Sequence, residues 1–189
     1  MGFKPKIVLI GGSAGSLKVL LTFLPDLKKD LSFPIVIVLH RKSSSDSVLV
    51  ELLKTKTPLT VVEPEEKTAL ENAKIYLAPP DYHLLIEKDH SISLDFSEKL
   101  NFSRPSIDIS FISASEIYHD KVMAILLSGA NADGVAGLKY IKANNGMAVV
   151  QKPETAEVDY MPLKAVERVE LDFILDPREM ADFINKLNV

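Results

Sequence analysis

Between Phe33 and Leu39 the chain reads Phe-Pro-Ile-Val-Ile-Val-Leu, with no polar residue at either phase of a period-two alternation. A strand of this kind needs cover on both faces, the situation of a central strand in a parallel sheet. Two other runs share the character: Lys6–Ile10, four aliphatics after a lysine, and Lys121–Leu127, apolar throughout after its lysine. Met147–Gln151 and Asp172–Leu175 read as further strands. Helical stretches alternate with them: Leu17–Leu24, Val48–Lys54, Pro105–Tyr118, Val135–Asn144, Pro162–Val169 and Pro177–Leu187. In Pro105–Tyr118 the apolar residues Ile107, Phe111 and Ala114 fall on one side. This alternation predicts an α/β fold, a doubly wound, mostly parallel sheet flanked by helices. Four short strands in the middle, Thr60–Val62, Lys74–Ala78, His83–Glu87 and Ser91–Phe96, read as a small antiparallel excursion at a sheet edge. The later ones are separated by the turn residues Pro79-Pro80-Asp81 and Lys88-Asp89-His90. With no repeat and no dividing linker, residues 1–189 are expected to form a single domain.

Composition narrows the function classes. The chain is 47% hydrophobic, enough for a substantial core, and its net charge of -4 argues against a nucleic-acid binder. It has no cysteine, which excludes disulfides, thiolate metal sites and a cysteine nucleophile. No His or carboxylate spacing such as H-E-x-x-H suggests a metal, and no cofactor is expected. Neither a signal peptide nor a membrane-spanning segment is visible, so a cytoplasmic protein without membrane insertion is the expectation.

Ligands of such sheets bind at the carboxyl ends of the strands. The first strand runs into Gly11-Gly12-Ser13-Ala14-Gly15, the G-x-S-x-G spacing of a nucleophile elbow. The second strand ends on His40, and the Lys121–Leu127 strand leads to Asp133. A hydroxyl, an imidazole and a carboxylate on one edge are the inventory of a serine hydrolase. Ser13 would be the nucleophile, His40 the general base, and Asp133 the group that orients the imidazole. The backbone amides of Ala14 and Ala130 are the expected oxyanion donors, each worth roughly 3–4 kcal/mol of barrier lowering. The bland alternatives are a glycine-rich βα turn that only packs a helix or holds a phosphate, a histidine merely leaving the core, and an Asp133-Gly134 helix cap. The turn lacks G-x-G-x-x-G and the Gly-Lys-Ser/Thr ending of a phosphate loop. His83, His90 and His119 are rival bases, but none follows a central strand, so each is expected to be structural. Arg41 and Lys42 could meet a phosphate and are expected to be solvated surface.

Taken together, several stretches resemble the catalytic domain of the CheB family, the chemotaxis protein-glutamate methylesterases. They are Ile10-Gly11-Gly12-Ser13-Ala14-Gly15, His40 after its strand, Leu77-Ala78-Pro79-Pro80-Asp81-Tyr82-His83-Leu84, Arg104-Pro105-Ser106-Ile107-Asp108, and Leu127-Ser128-Gly129 through Asp133-Gly134, with Thr155 and Met161-Pro162 as a late motif. The resemblance covers about Lys6 to Leu187. It implies a triad of Ser13, His40 and Asp133, hydrolysis of glutamate γ-methyl esters on chemoreceptors, and in some members deamidation of receptor glutamines. Three departures stand out. Ser13-Ala14-Gly15-Ser16 replaces the usual Ser-Thr-Gly-Gly, and Gly129-Ala130-Asn131 replaces Gly-Met-Gly. The receiver domain that commonly precedes the catalytic domain is not in this sequence, so a separate regulatory receiver protein becomes a candidate partner. The altered loops motivate the rival expectation of a binding module of the same fold with weakened catalysis.

Overall fold

The computed structural model describes residues 2–41 and 46–188. Lys42 and most of the polar loop read over Arg41–Ser47 therefore lie outside the described residues. Ten strands and six helices follow in chain order: β1 (Ile7–Gly12), α1 (Ser16–Phe23), β2 (Ile35–Leu39), α2 (Asp46–Thr55), β3 (Thr60–Val62), β4 (Thr68–Ala69), β5 (Lys74–Leu77), β6 (His83–Ile86), β7 (Ser91–Asp95), α3 (Ile107–Tyr118), β8 (Val122–Leu126), α4 (Val135–Ala143), β9 (Met147–Gln151), α5 (Tyr160–Arg168), β10 (Phe173–Leu175) and α6 (Met180–Lys186).

Seven strands form one sheet in the order β10-β9-β8-β1-β2-β5-β3, with every pair parallel. From β1 the chain builds β2 and the edge strand β3 on one side, inserts β5 between them, then crosses back to build β8, β9 and β10 on the other. The winding reverses beside β1, so the crevice of a doubly wound sheet opens at the carboxyl ends of β1 and β8.

Alternation along the strands divides the core in two. Val8, Ile10, Ile35 and Ile37 face one side, where α1, α2 and α6 cover them with Leu20, Phe23, Leu53 and Ile184. Ile7, Leu9, Val36 and Val38 face the other, beneath α3, α4 and α5. Both sets are fully buried, and each such side chain contributes about 1.5–3 kcal/mol relative to exposure. This is why the central strands carry no polar phase.

The middle of the chain corrects the expected excursion. Thr60–Val62 and Lys74–Leu77 are not antiparallel; they are β3 and β5 of the parallel sheet. Among the described strands only β4, β6 and β7 pair antiparallel, and they form a separate three-stranded sheet. That sheet is tied to α3: the Ser110 hydroxyl donates to Leu84 O at 2.7 Å and the Ile86 amide donates to Ser113 Oγ at 3.1 Å. Short runs of three or four residues carry too little periodicity to reveal which sheet they join.

Candidate active site

The turn after β1 is held from several sides. β1 runs through Gly12, two residues beyond the expected end, because Leu127 N donates to Gly11 O at 2.8 Å and His40 N donates to Gly12 O at 3.1 Å. Ser13 N then donates to Ser128 O at 2.9 Å. Gly15 takes φ 82°, left-handed backbone that favours glycine, and leads into α1. The buried Ser16 hydroxyl and the Ser16 amide both donate to the Ser13 carbonyl. The serine that departs from the usual glycine thus closes the turn. The Ala14 side chain is exposed, so the missing threonine hydroxyl leaves no buried gap. The buried Ser128 hydroxyl lies 2.7 Å from Ala14 O.

His40 stands directly beyond β2, with its side chain 13% exposed. Its Nε2 lies 2.7 Å from Asp133 Oδ2. Asp133 is fully buried, and its carboxylate also accepts from the Ile107 amide at 2.7 Å, the Asp108 amide at 3.0 Å, the Gly134 amide at 3.0 Å and the Ser106 hydroxyl at 3.1 Å. The carboxylate therefore sits at the positive N-terminus of α3. Burial pushes the Asp133 carboxyl up, but the His40 hydrogen bond and the Asp108 and Ile107 amides outweigh it and hold the group below the usual carboxylate range. An ionised carboxylate only accepts, so His40 Nε2 carries the proton and Nδ1 is the basic nitrogen.

His40 Nδ1 lies 3.5 Å from the Ser103 hydroxyl, which in turn lies 3.5 Å from Asn131 Nδ2. No hydrogen bond joins the Ser13 hydroxyl to His40 among the described residues. Ser13 and His40 instead line one groove of about 480 Å³ with Leu17, Leu39, Leu49 and Leu52. The fold thus brings His40 and Asp133 into direct contact and brings Ser13 to the same groove. The 128–130 loop closes on the serine: a β-carbon at Gly129 would come within 3.1 Å of Ser13 Cβ and 2.4 Å of Met161 Cε. Gly129 N donates to Val158 O, and Met161 N donates to Gly129 O. Neither the Ala14 nor the Ala130 amide has a partner among the described residues.

The rival residues lie elsewhere. His83 is fully buried; its Nδ1 accepts from Ser106 N at 3.1 Å and its Nε2 reaches Glu98 O at 2.9 Å, so it supports the start of α3. His90 stacks on Tyr118 with ring centroids 5.0 Å apart. His119 follows α3. Arg41 is not the solvated residue expected. Its side chain is 6% exposed, and one Nη donates to Glu63 Oε2 at 2.7 Å and to Ala78 O at 3.0 Å. Among the described residues, no group of three or more His, Asp or Glu could hold a metal ion, and no helix is long and apolar enough to cross a membrane.

The sequence profile of the CheB methylesterases matches residues 8–184. The chain belongs to the CheB methylesterase family. It is 44% identical over 181 residues to a putative protein-glutamate methylesterase/protein-glutamine glutaminase of Leptospira interrogans, covering 96% of this chain and 94% of the relative. It is 34% identical over 173 residues to the protein-glutamate methylesterase/protein-glutamine glutaminase of Thermotoga maritima, covering 90% of this chain and 50% of that one. The crystal structure of the Thermotoga maritima CheB methylesterase catalytic domain superposes with a TM-score of 0.93 at 32% identity, covering 97% of this chain and 99% of that one.

Ser103 is the site-facing residue that no motif in the sequence contains. Ser128 and Asn131 lie within the Leu127–Gly134 motif, but the hydrogen bond by which Ser128 braces Ala14 has no local signature. Ser103 directly precedes Arg104-Pro105-Ser106, and only its place beside that motif could single it out. Asn131 replaces a glycine and orders the loop, because its Oδ1 accepts from Asp133 N at 3.1 Å. Ser106, within the same motif, caps α3, its side chain accepting from Ile109 N.

Proposed function

We propose that this chain is a protein-glutamate methylesterase acting on the glutamate γ-methyl esters of chemoreceptors or related sensory proteins. The observation that carries the reading is the His40–Asp133 pair, 2.7 Å apart and opening onto the groove that Ser13 lines. The family and its relatives support the choice of ester. The Ser13 hydroxyl attacks the γ-carbonyl while His40 Nδ1 takes its proton, and Asp133 stabilises the resulting imidazolium through Nε2. The unpartnered Ala14 and Ala130 amides are suited to the oxyanion of the tetrahedral intermediate. Nδ1 returns the proton to the leaving oxygen, so methanol departs and an acyl-Ser13 ester remains. Water, deprotonated by the same nitrogen, attacks that ester and releases the glutamate carboxylate and free Ser13. With a glutamine substrate the same sequence releases ammonia, which makes deamidation a second activity of one site.

The partner is a methylated receptor, met in the cytoplasm, with a separate receiver protein as the candidate regulator. A fluorophosphonate probe tests the chemistry. Stoichiometric phosphonylation at Ser13, lost in Ser13→Ala together with methanol release, is the expected result. Methanol release by Ser13→Ala at the parental rate would overturn the assignment. An unlabelled, hydrolytically silent parent would favour the binding-module reading instead.

A further inference from the structure

Residues 95–102 are all exposed, and they lead to Ser103, whose hydroxyl lies 3.5 Å from His40 Nδ1. Leu100 and Ser103 exchange two backbone hydrogen bonds, Ser103 N to Leu100 O at 2.9 Å and Leu100 N to Ser103 O at 3.2 Å. The two residues between them, Asn101 and Phe102, have φ of 49° and 65°. Positive φ at both central positions belongs to type I′ turns, whose second position favours glycine. A phenylalanine there is a true outlier, since a bulky side chain rarely tolerates left-handed backbone. Phe102 is nevertheless 97% exposed, and Phe96, nearby, is 63% exposed. Among the described residues no ring or cation contact involves Phe102. Phe96 is fixed from below: the Arg104 guanidinium lies 3.9 Å from its ring centre and the Tyr82 ring lies 5.5 Å away.

We propose that Phe96 and Phe102 form an aromatic ledge on which the protein substrate rests, seating the backbone that flanks the reactive glutamyl ester. This inference rests on the esterase reading above. Its occupant follows from reach. Ser103, the neighbour of Phe102, lies 3.5 Å from the basic nitrogen of His40. A glutamyl γ-carbonyl stands only three C–C bonds of about 1.5 Å from its own Cα. A substrate whose ester reaches His40 Nδ1 therefore lays its main chain close to the Leu100–Ser103 turn that carries Phe102. Exposed aromatic residues offer such a chain a large contact area at a small cost in side-chain entropy. A small ester needs no such rim, so the ledge discriminates protein substrates from small ones.

Phe102→Asn tests this, because asparagine tolerates the left-handed turn while removing the ring. The expected result is at least a tenfold fall in kcat/KM toward an enzymatically methylated cytoplasmic fragment of a chemoreceptor, carried mainly by KM. Hydrolysis of p-nitrophenyl acetate should stay within twofold of the parent, and Phe102→Tyr should recover most of the loss. Unchanged activity on the fragment, or equal loss on both substrates, would overturn the ledge. Binding of the same fragment to Ser13→Ala, measured with and without Phe102→Asn, separates the two readings. Binding that depends on Phe102 without hydrolysis by the parent would end the esterase reading and leave the ledge standing. Binding indifferent to Phe102 would end the ledge.

Discussion

Oδ2 of Asp133 lies 2.7 Å from His40 Nε2, and the same oxygen accepts the Ile107 amide at 2.7 Å. One buried carboxylate therefore serves two structures: it sets the tautomer of the imidazole and closes the N-terminus of α3. Asp133 does cap a helix, but it is α3 and not α4, which follows it in sequence, and the same carboxylate is the one we propose orients His40.

Asp133→Asn should damage both. An asparagine must place its NH2 either where Oδ2 meets the Ile107 amide and His40 or where Oδ1 meets the Asp108 and Gly134 amides, and either way a buried donor faces a donor. Methanol release is expected to fall on the order of 10⁴-fold through the wrong histidine tautomer. The unpaired buried donor should cost about 1–3 kcal/mol of stability, read by denaturant unfolding. Retention of activity within tenfold would contradict the role given to Asp133.

Ser103→Ala removes the hydroxyl that faces the basic nitrogen of His40. A net hydrogen bond of about 0.5–1.5 kcal/mol corresponds to a rate loss of roughly 2- to 10-fold. Phosphonylation at Ser13 should persist and the melting temperature should hold, because Ser103 keeps its backbone bonds to Leu100. Complete loss of labelling would instead make Ser103 indispensable to the nucleophile.

Asp108 predicts a pH dependence of the opposite sign to Asp133. Burial pushes its carboxyl up to about 6, and the nearby Asp133 charge adds to this, while the Gly137 amide, 2.7 Å from Oδ1, opposes it. Between about pH 4 and 6 the folded chain keeps a proton that the unfolded chain has lost, so this group's contribution to stability falls as pH rises through that window. Asp133, held low, contributes stability above its unfolded value near 3.9 and loses it as pH falls through its folded value. Asp108→Asn keeps an acceptor for Gly137 and abolishes the titration. Its stability relative to the parent should improve from pH 4 to pH 7 by on the order of 2 kcal/mol, several degrees in melting temperature. An equal difference at pH 4.5 and pH 7.5 would refute the assignment.

Much of the architecture was legible because it is written in short-range patterns. The runs Phe33–Leu39 and Lys121–Leu127 have no polar phase, and that alone demands a two-faced central position, which β2 and β8 occupy. The glycine turn and the ends of β1, β2 and β8 pointed to Ser13, His40 and Asp133 on one edge. The sheet membership of Thr60–Val62 and Lys74–Leu77 was not legible, because three or four residues pair equally well with either neighbour until the helices are packed.

By itself the sequence determined which runs are the central strands, which chemical groups follow them, and which family the chain resembles. These depend on neighbours a few residues apart. Only the tertiary structure decided what each group faces. His40 and Asp133 are 93 residues apart and His40 and Ser103 are 63 apart. Their meeting depends on α3 docking across β1 with its N-terminus aimed at the crevice, a long-range result of packing two apolar faces. Which His40 nitrogen is left to face Ser103 is settled by that docking, since the carboxylate capping α3 claims Nε2.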